Sequence, residues 1–172
     1  MAIRKARETD LEAILDIYND AVLHTTATFD VTPRTLEAQQ AWFAEHGPTY
    51  PVVVWEEEGR VLGWGSLSPY HTRCAYRFTS ELSVYVAREA RQRGVGEALL
   101  RELVTLGEQA GLHTLLGFVT AENTASRRLA EKVGMRQVGL LEEVGYKFER
   151  WLDVAIYQYR CGSRGGSASG GP

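Results

Sequence analysis

The order of apolar and polar positions divides the chain into stretches of two-residue and helical periodicity. Residues 3–6 read as a short first strand. Thr9 and Glu12 then have the spacing of a capping box, and Leu11, Ile14, Leu15, Tyr18 and Val22 recur at helical spacing as a core-facing stripe. Residues 24–34, HTTATFDVTPR, break that period, and Thr32 followed by Pro33 suits the entrance to a second helix reaching about residue 46, anchored by Trp42 and Phe43. The intervening loop sets polar threonines around Phe29 and reads either as a plain connection or as one wall of a substrate pocket. Residues 50–56 and 60–68 read as two strands joined by a turn at 57–59, with Gly63 and Gly65 marking a bend or close packing.

The chain is organised around residues 81–97, ELSVYVAREARQRGVGE. Strand alternation turns Leu82, Val84 and Val86 to one side and Glu81, Ser83 and Tyr85 to the other. A helix follows over 94–110, with Val95, Leu99, Leu103, Leu106 and Ala110 on one face, and then an apolar strand over 114–120. Strand, helix and strand in that order predict a crossover and a parallel pair. Asn123 is placed to cap a short helix through 133, with Ala125, Leu129 and Val133 inward and an end near Gly134. Residues 135–143 and 150–160 read as two closing strands with Gly145 between them. Residues 69–78, PYHTRCAYRF, form an irregular connection rich in aromatic and basic side chains, the kind of loop that carries specificity. A single domain over 1–160 is expected, followed by a flexible Gly/Ser-rich tail over 161–172.

Composition narrows the function classes. With 172 residues the chain is long enough for one substantial core, and 44% hydrophobic and 24% charged residues are ordinary for a globular protein. A formal net charge of −3 makes nucleic acid an unexpected partner, so any basic site is local. Cys74 and Cys161 lack metal-ligand spacing and read as free thiols in a reducing compartment. The first residues contain no continuous apolar run like a signal peptide or membrane span, so a cytoplasmic location is expected. The histidines, at 24, 46, 71 and 113, form no i, i+4 pair, and no metal site is expected.

The turn after the central strand has the makings of an anion cradle. The first amides of a helix lack intrahelical partners and its aligned dipoles make that end positive, so phosphate oxygens bind there. Arg91, Gln92 and Arg93 lead in, while Gly94 and Gly96 remove side chains that would hold a phosphate off the backbone. The spacing Arg-x-x-Gly-x-Gly is neither the Walker pattern nor the dinucleotide fingerprint. No Lys-Ser or Lys-Thr follows, which argues against a metal-bound nucleoside triphosphate.

Strand 83–86, then Arg91-x-x-Gly94-x-Gly96 opening a helix, then a strand ending at Ala121-Glu122-Asn123 before another helix, resembles the GNAT acyltransferases over roughly residues 2–160. The pieces ELSVYV, AENTASRRL and VGYKFERWLDV resemble its phosphinothricin and L-methionine sulfoximine N-acetyltransferases. The resemblance implies an α/β (α+β) GNAT fold, a mixed and centrally splayed β-sheet flanked by helices, using acetyl-CoA. It implies cofactor contacts along Val84, Tyr85 and Val86, at Arg91, Gln92, Arg93, Gly94, Val95, Gly96 and Glu97, and at Asn123 and Ser126. Glu81 takes the position of the family's base. Arg77, four residues earlier, takes that of the acceptor-binding arginine, with Tyr76, Phe78 and Thr79 beside it and Phe29 as a pocket wall.

The segment 146–153, YKFERWLD, reads either as core strand with surface charge or, by the resemblance, as the match of a segment near the family's acceptor site that is contributed across a dimer; a small-molecule amine acceptor and a homodimer are the expected partners. One position departs from the pattern: Ala130 stands where many relatives carry Tyr or His as acid for the departing thiolate. Tyr85 is a substitute donor or a packing residue. The leading expectation is N-acetylation of a small amino acid or analogue. The alternatives are a peptide N-terminus, lysine or polyamine acceptor, or a CoA-binding module without turnover.

Overall fold

The computed structural model describes residues 2–162, so part of the expected tail, 163–172, lies outside the described residues. Strands β1 (Ala2–Lys5), β2 (Val52–Glu57), β3 (Arg60–Pro69), β4 (Thr79–Val86), β5 (Thr114–Thr120), β6 (Arg136–Lys147) and β7 (Arg150–Arg160) form one seven-stranded sheet in the order β1-β2-β3-β4-β5-β7-β6. Every neighbouring pair is antiparallel except β4 and β5. Helices α1 (Leu11–His24) and α2 (Leu36–Ala44) cover one face, and α3 (Val95–Gln109) and α4 (Thr124–Lys132) the other. No helix among the described residues is long and apolar enough to cross a membrane.

Each face carries its own core. Leu11, Ile14, Tyr18 and Val22 of α1 meet Val52, Val54 and Trp64 on one side. Val95, Leu99, Leu100, Leu103 and Val104 of α3 meet Val53, Leu67, Leu82 and Leu115 on the other. Gly63 and Gly65 exist for this second packing. A Cβ on Gly65 would stand 2.8 Å from Leu103 Cδ1 and 3.0 Å from Ser83 O, and one on Gly63 would stand 3.0 Å from Leu99 Cδ1.

Several local readings change. The entry to α1 is organised by Asp10, not by a Thr9/Glu12 box: Asp10 accepts from Arg7 N at 2.7 Å and from both Arg4 Nη atoms at 2.7 and 2.9 Å. Helix α2 starts at Leu36, not after Thr32-Pro33, because the Thr35 side chain accepts from Ala38 N at 3.1 Å. On α4, Ala125 is exposed and Ala130 is the buried residue, at 4% exposure. Gly145 lies inside β6, whose pairing with β7 resumes at Gly145 after an irregularity from Leu141. There Phe29 packs so closely that a Cβ would fall 2.6 Å from its Cζ.

Candidate active site

The parallel ladder between β4 and β5 comprises only Thr79↔Thr114, Ser80↔Leu115 and Glu81↔Leu116. Beyond Glu81 the strands diverge and the sheet opens into a cleft of about 1310 Å³. A single small-ligand pocket spans roughly 300–1,000 Å³, so this cleft has room for a long ligand and a second molecule.

Strand geometry fixes what faces the opening. Ala87 N donates to Leu62 O at 2.8 Å, and the β3–β4 register is continuous from Pro69↔Ser80 to Gly63↔Val86. Alternation therefore turns the main-chain groups of Leu82, Val84 and Val86 away from β3, toward the side from which β5 has withdrawn. Arg91 Nε takes the Val86 carbonyl at 3.3 Å. Glu81 lines the cleft at the point of divergence, and its carboxylate makes no hydrogen bond to another described residue. Burial pushes its carboxyl above the usual range. Tyr85, on the same face of β4, stacks on Trp64 at 5.0 Å and meets Tyr18 edge-on at 5.4 Å. Its phenol is driven well above the ordinary value by burial first, so it stays protonated where it borders the cleft.

The turn into α3 is built for close approach. Gln92 and Gly94 adopt left-handed φ values of 60° and 83°, and Gly94 caps α3 without a side chain. The first amides of this 15-residue helix consequently lie bare at the cleft. A Cβ on Gly96 would lie 3.2 Å from Leu129 Cδ2, so glycine lets α3 approach α4 here. Val95 is 2% exposed and offers only its main chain. Arg93 turns from the cleft to Glu57, with Nη2 2.8 Å from both carboxylate oxygens. The Glu97 carboxylate is held below its usual range, first by Lys132 at 2.8 Å and then by Arg101. Asn123 Oδ1 accepts from Ser126 N at 3.2 Å, capping α4, and Ser126 borders the cleft.

Other sequence-predicted residues lie apart. Arg77 is exposed, donates to Cys74 O at 3.2 Å and covers the Phe78 ring at 4.4 Å. Tyr76 packs edge-on to Tyr70 at 5.4 Å, and Thr79 begins β4 opposite Thr114. None of these four borders the cleft, whereas Phe29 does. The loop before α2 is thus a wall of the cleft rather than a plain connection.

The cleft also takes residues that sequence spacing did not single out: Arg128 and Lys132 on α4, Phe118 and Glu122 at β5, and Phe148 and Arg150 at the β6–β7 turn. The i, i+4 spacing of Arg128 and Lys132 placed them on one face and was the available signal. The hairpin residues carried no spacing signal and were marked only by the resemblance of the segment 146–153. No cluster of three or more His, Cys, Asp or Glu side chains suited to a metal occurs among the described residues.

The Acetyltransferase (GNAT) family model matches residues 11–135. An L-methionine sulfoximine/L-methionine sulfone acetyltransferase from Pseudomonas paraeruginosa is 40% identical over 159 residues, 91% of this chain and 92% of that protein. The crystal structure of a ribosomal-protein-alanine N-acetyltransferase from Brucella melitensis has a TM-score of 0.91 at 41% identity, covering 93% of this chain and 99% of that one. A phosphinothricin acetyltransferase from Sinorhizobium meliloti, solved with acetyl-CoA, has a TM-score of 0.89 at 35% identity, covering 92% and 87%.

The residues present fit that cofactor. A bare helix end beside Arg91, Arg128 and Lys132 suits phosphates, and the unladdered edge at Val84 and Val86 suits an amide-containing arm. With its splayed sheet, its cradle at 91–97 and its match over most of its length, the chain belongs to the GNAT family and is an acetyl-CoA-dependent N-acetyltransferase.

Proposed function

We propose that the acceptor is the amino group of a small amino acid or analogue of the methionine sulfoximine or phosphinothricin type, and that Glu81 is the base. Bound acetyl-CoA supplies an acetyl group activated as a thioester. Amines are mostly protonated at neutral pH, so a proton must leave before attack, directly or through a water, and Glu81 receives it. The observation that carries this assignment is its position: a carboxyl with a raised pKa, free of ion pairs, where β4 and β5 part. Val84 N–H is assigned to polarising the acetyl carbonyl. Val84–Val86 and the turn 91–97, with Asn123 and Ser126, are assigned to the cofactor. Ala130 has no proton to give, and a thiol pKa near 8.5 makes one dispensable.

Phe29 and the loop carrying Tyr76, Arg77, Phe78 and Thr79 are assigned to the acceptor, with Arg77 as carboxylate clamp. We read the chain as a homodimer joined through the β6 side, where Val138, Leu140, Val144, Tyr146 and Trp151 are exposed. A cytoplasmic, detoxifying role fits its two unpaired cysteines and an inhibitor-like acceptor. A thiol-release assay with methionine sulfoximine, phosphinothricin, common amino acids, polyamines and an alanine-terminated peptide tests the acceptor. Turnover of the first two is expected. Turnover of the peptide alone would select the second reading, a protein N-terminus, which the similarity to the Brucella protein favours.

A further inference from the structure

Beyond Glu81 and Leu116 no ladder joins β4 to β5, yet the gap is crossed. Residues 25–29 leave the end of α1 and tie to β5 directly and to β4 through Tyr18 of α1. On the β5 side the Thr120 hydroxyl donates to Thr26 O, and the Thr26 hydroxyl donates to Glu122 Oε1 at 2.9 Å. On the β4 side the Thr28 hydroxyl lies 3.1 Å from the Tyr18 phenol, which in turn packs on Tyr85. Lys147, 4% exposed, donates from Nζ to Thr28 O at 2.8 Å. The segment is a strap where the sheet has lost its own hydrogen bonds.

Glu122 is the anionic link in it. Its carboxylate takes the Thr26 hydroxyl and both Arg150 Nη atoms, with Nη2 at 2.7 Å, so it joins the strap to the β6–β7 turn. Arg150 first and Thr26 second hold it down to about 2, so the bridge stays ionised at any pH where an amine acceptor reacts. We propose that Glu122 is a positioning residue: by gripping Thr26 and Arg150 together it fixes the strap, and with it the acceptor-side mouth of the cleft. This rests on the assignment of Phe29 and its loop to the acceptor.

The side chains of Arg150 and Glu122 are 49% and 41% exposed, so solvent screens the pair and its influence is moderate and salt-dependent. Glu122→Ala is expected to raise the acceptor KM about two- to fivefold at low salt, the range an exposed ion pair commands. The acetyl-CoA KM moves less. Added salt narrows the gap between the wild-type and variant acceptor KM values, and the charge swap Glu122→Arg with Arg150→Glu recovers most of the loss.

Hydrogen exchange on the ligand-free protein is expected to show faster exchange across residues 25–29 in Glu122→Ala. Unchanged exchange there, or a parallel rise in both KM values, would overturn the proposal. A wild type that acetylates none of the proposed acceptors removes that assignment alone, because the exchange measurement reads the strap without an acceptor.

Discussion

Glu81, the proposed base, shows how surroundings change one side chain. Burial disfavours its charged form and no cation among the described residues pairs with it, so its pKa lies above the usual carboxylate range. The active form is the carboxylate, so kcat/KM should fall as pH drops through that raised value, with a limb above the ordinary carboxylate range. Glu81→Gln should remove the limb and lower kcat by about 10²–10⁴-fold at neutral pH, measured by thiol release. An unchanged profile would assign the proton elsewhere. Arg77 is a different case, since its guanidinium is spent on Cys74 O and Phe78. If it clamps the acceptor carboxylate, Arg77→Ala should raise the acceptor KM by about 10–100-fold, the worth of a charged hydrogen bond, while the acetyl-CoA KM holds. Equal acceptor kinetics would reject the clamp. The position of Glu81 on the central strand was legible in the sequence because strand alternation is local. The contacts of Arg77 were not, because they depend on how an irregular loop folds on itself.

At the scale of elements, packing between α3 and the sheet decides stability. Gly65→Ala puts a methyl against Leu103 and the Ser83 carbonyl, and overpacking of this kind costs about 1–3 kcal/mol. Thermal unfolding should register it, and an unaltered Tm would mean that the sheet and α3 separate more easily than their contacts imply. The entry to α1 responds to pH. The hydrogen bond from Arg4 is the largest of the influences that hold Asp10 below its usual pKa. The carboxylate's contribution is therefore complete above the unfolded pKa and is lost as pH falls through the lower folded value. Asp10→Asn should flatten that part of the acid-stability curve, followed by denaturant unfolding across pH. Periodicity gave β5 at its exact limits and α3 to within a residue, because a strand or long helix repeats its pattern many times. The start of α2 was missed because Thr35 and Thr32 are equally good caps on composition, and only the chain's path out of the cleft wall chooses between them.

For the whole molecule, sedimentation tests the proposed dimer through the β6 side. Leu140, Val144, Tyr146 and Trp151 are exposed together on this side, and under the proposed dimer a species of twice the chain mass is expected. Leu140→Asp combined with Trp151→Arg should shift it to the single-chain mass, and a monomeric wild type would rule the dimer out. The sequence by itself determined the succession of elements and the helix-opening, anion-ready turn at 91–97, while acetyl-CoA entered through the resemblance of that stretch to the GNAT family. Those features are written in neighbouring residues, whose spacing sets both backbone conformation and amide exposure. Tertiary structure alone decided where β4 and β5 part, which charges meet at the mouth of the cleft, and what spans it. Thr26 and Glu122 are 96 residues apart and Thr28 and Lys147 are 119 apart. No local pattern selects such partners; they are chosen when burying both faces of one sheet brings their elements together.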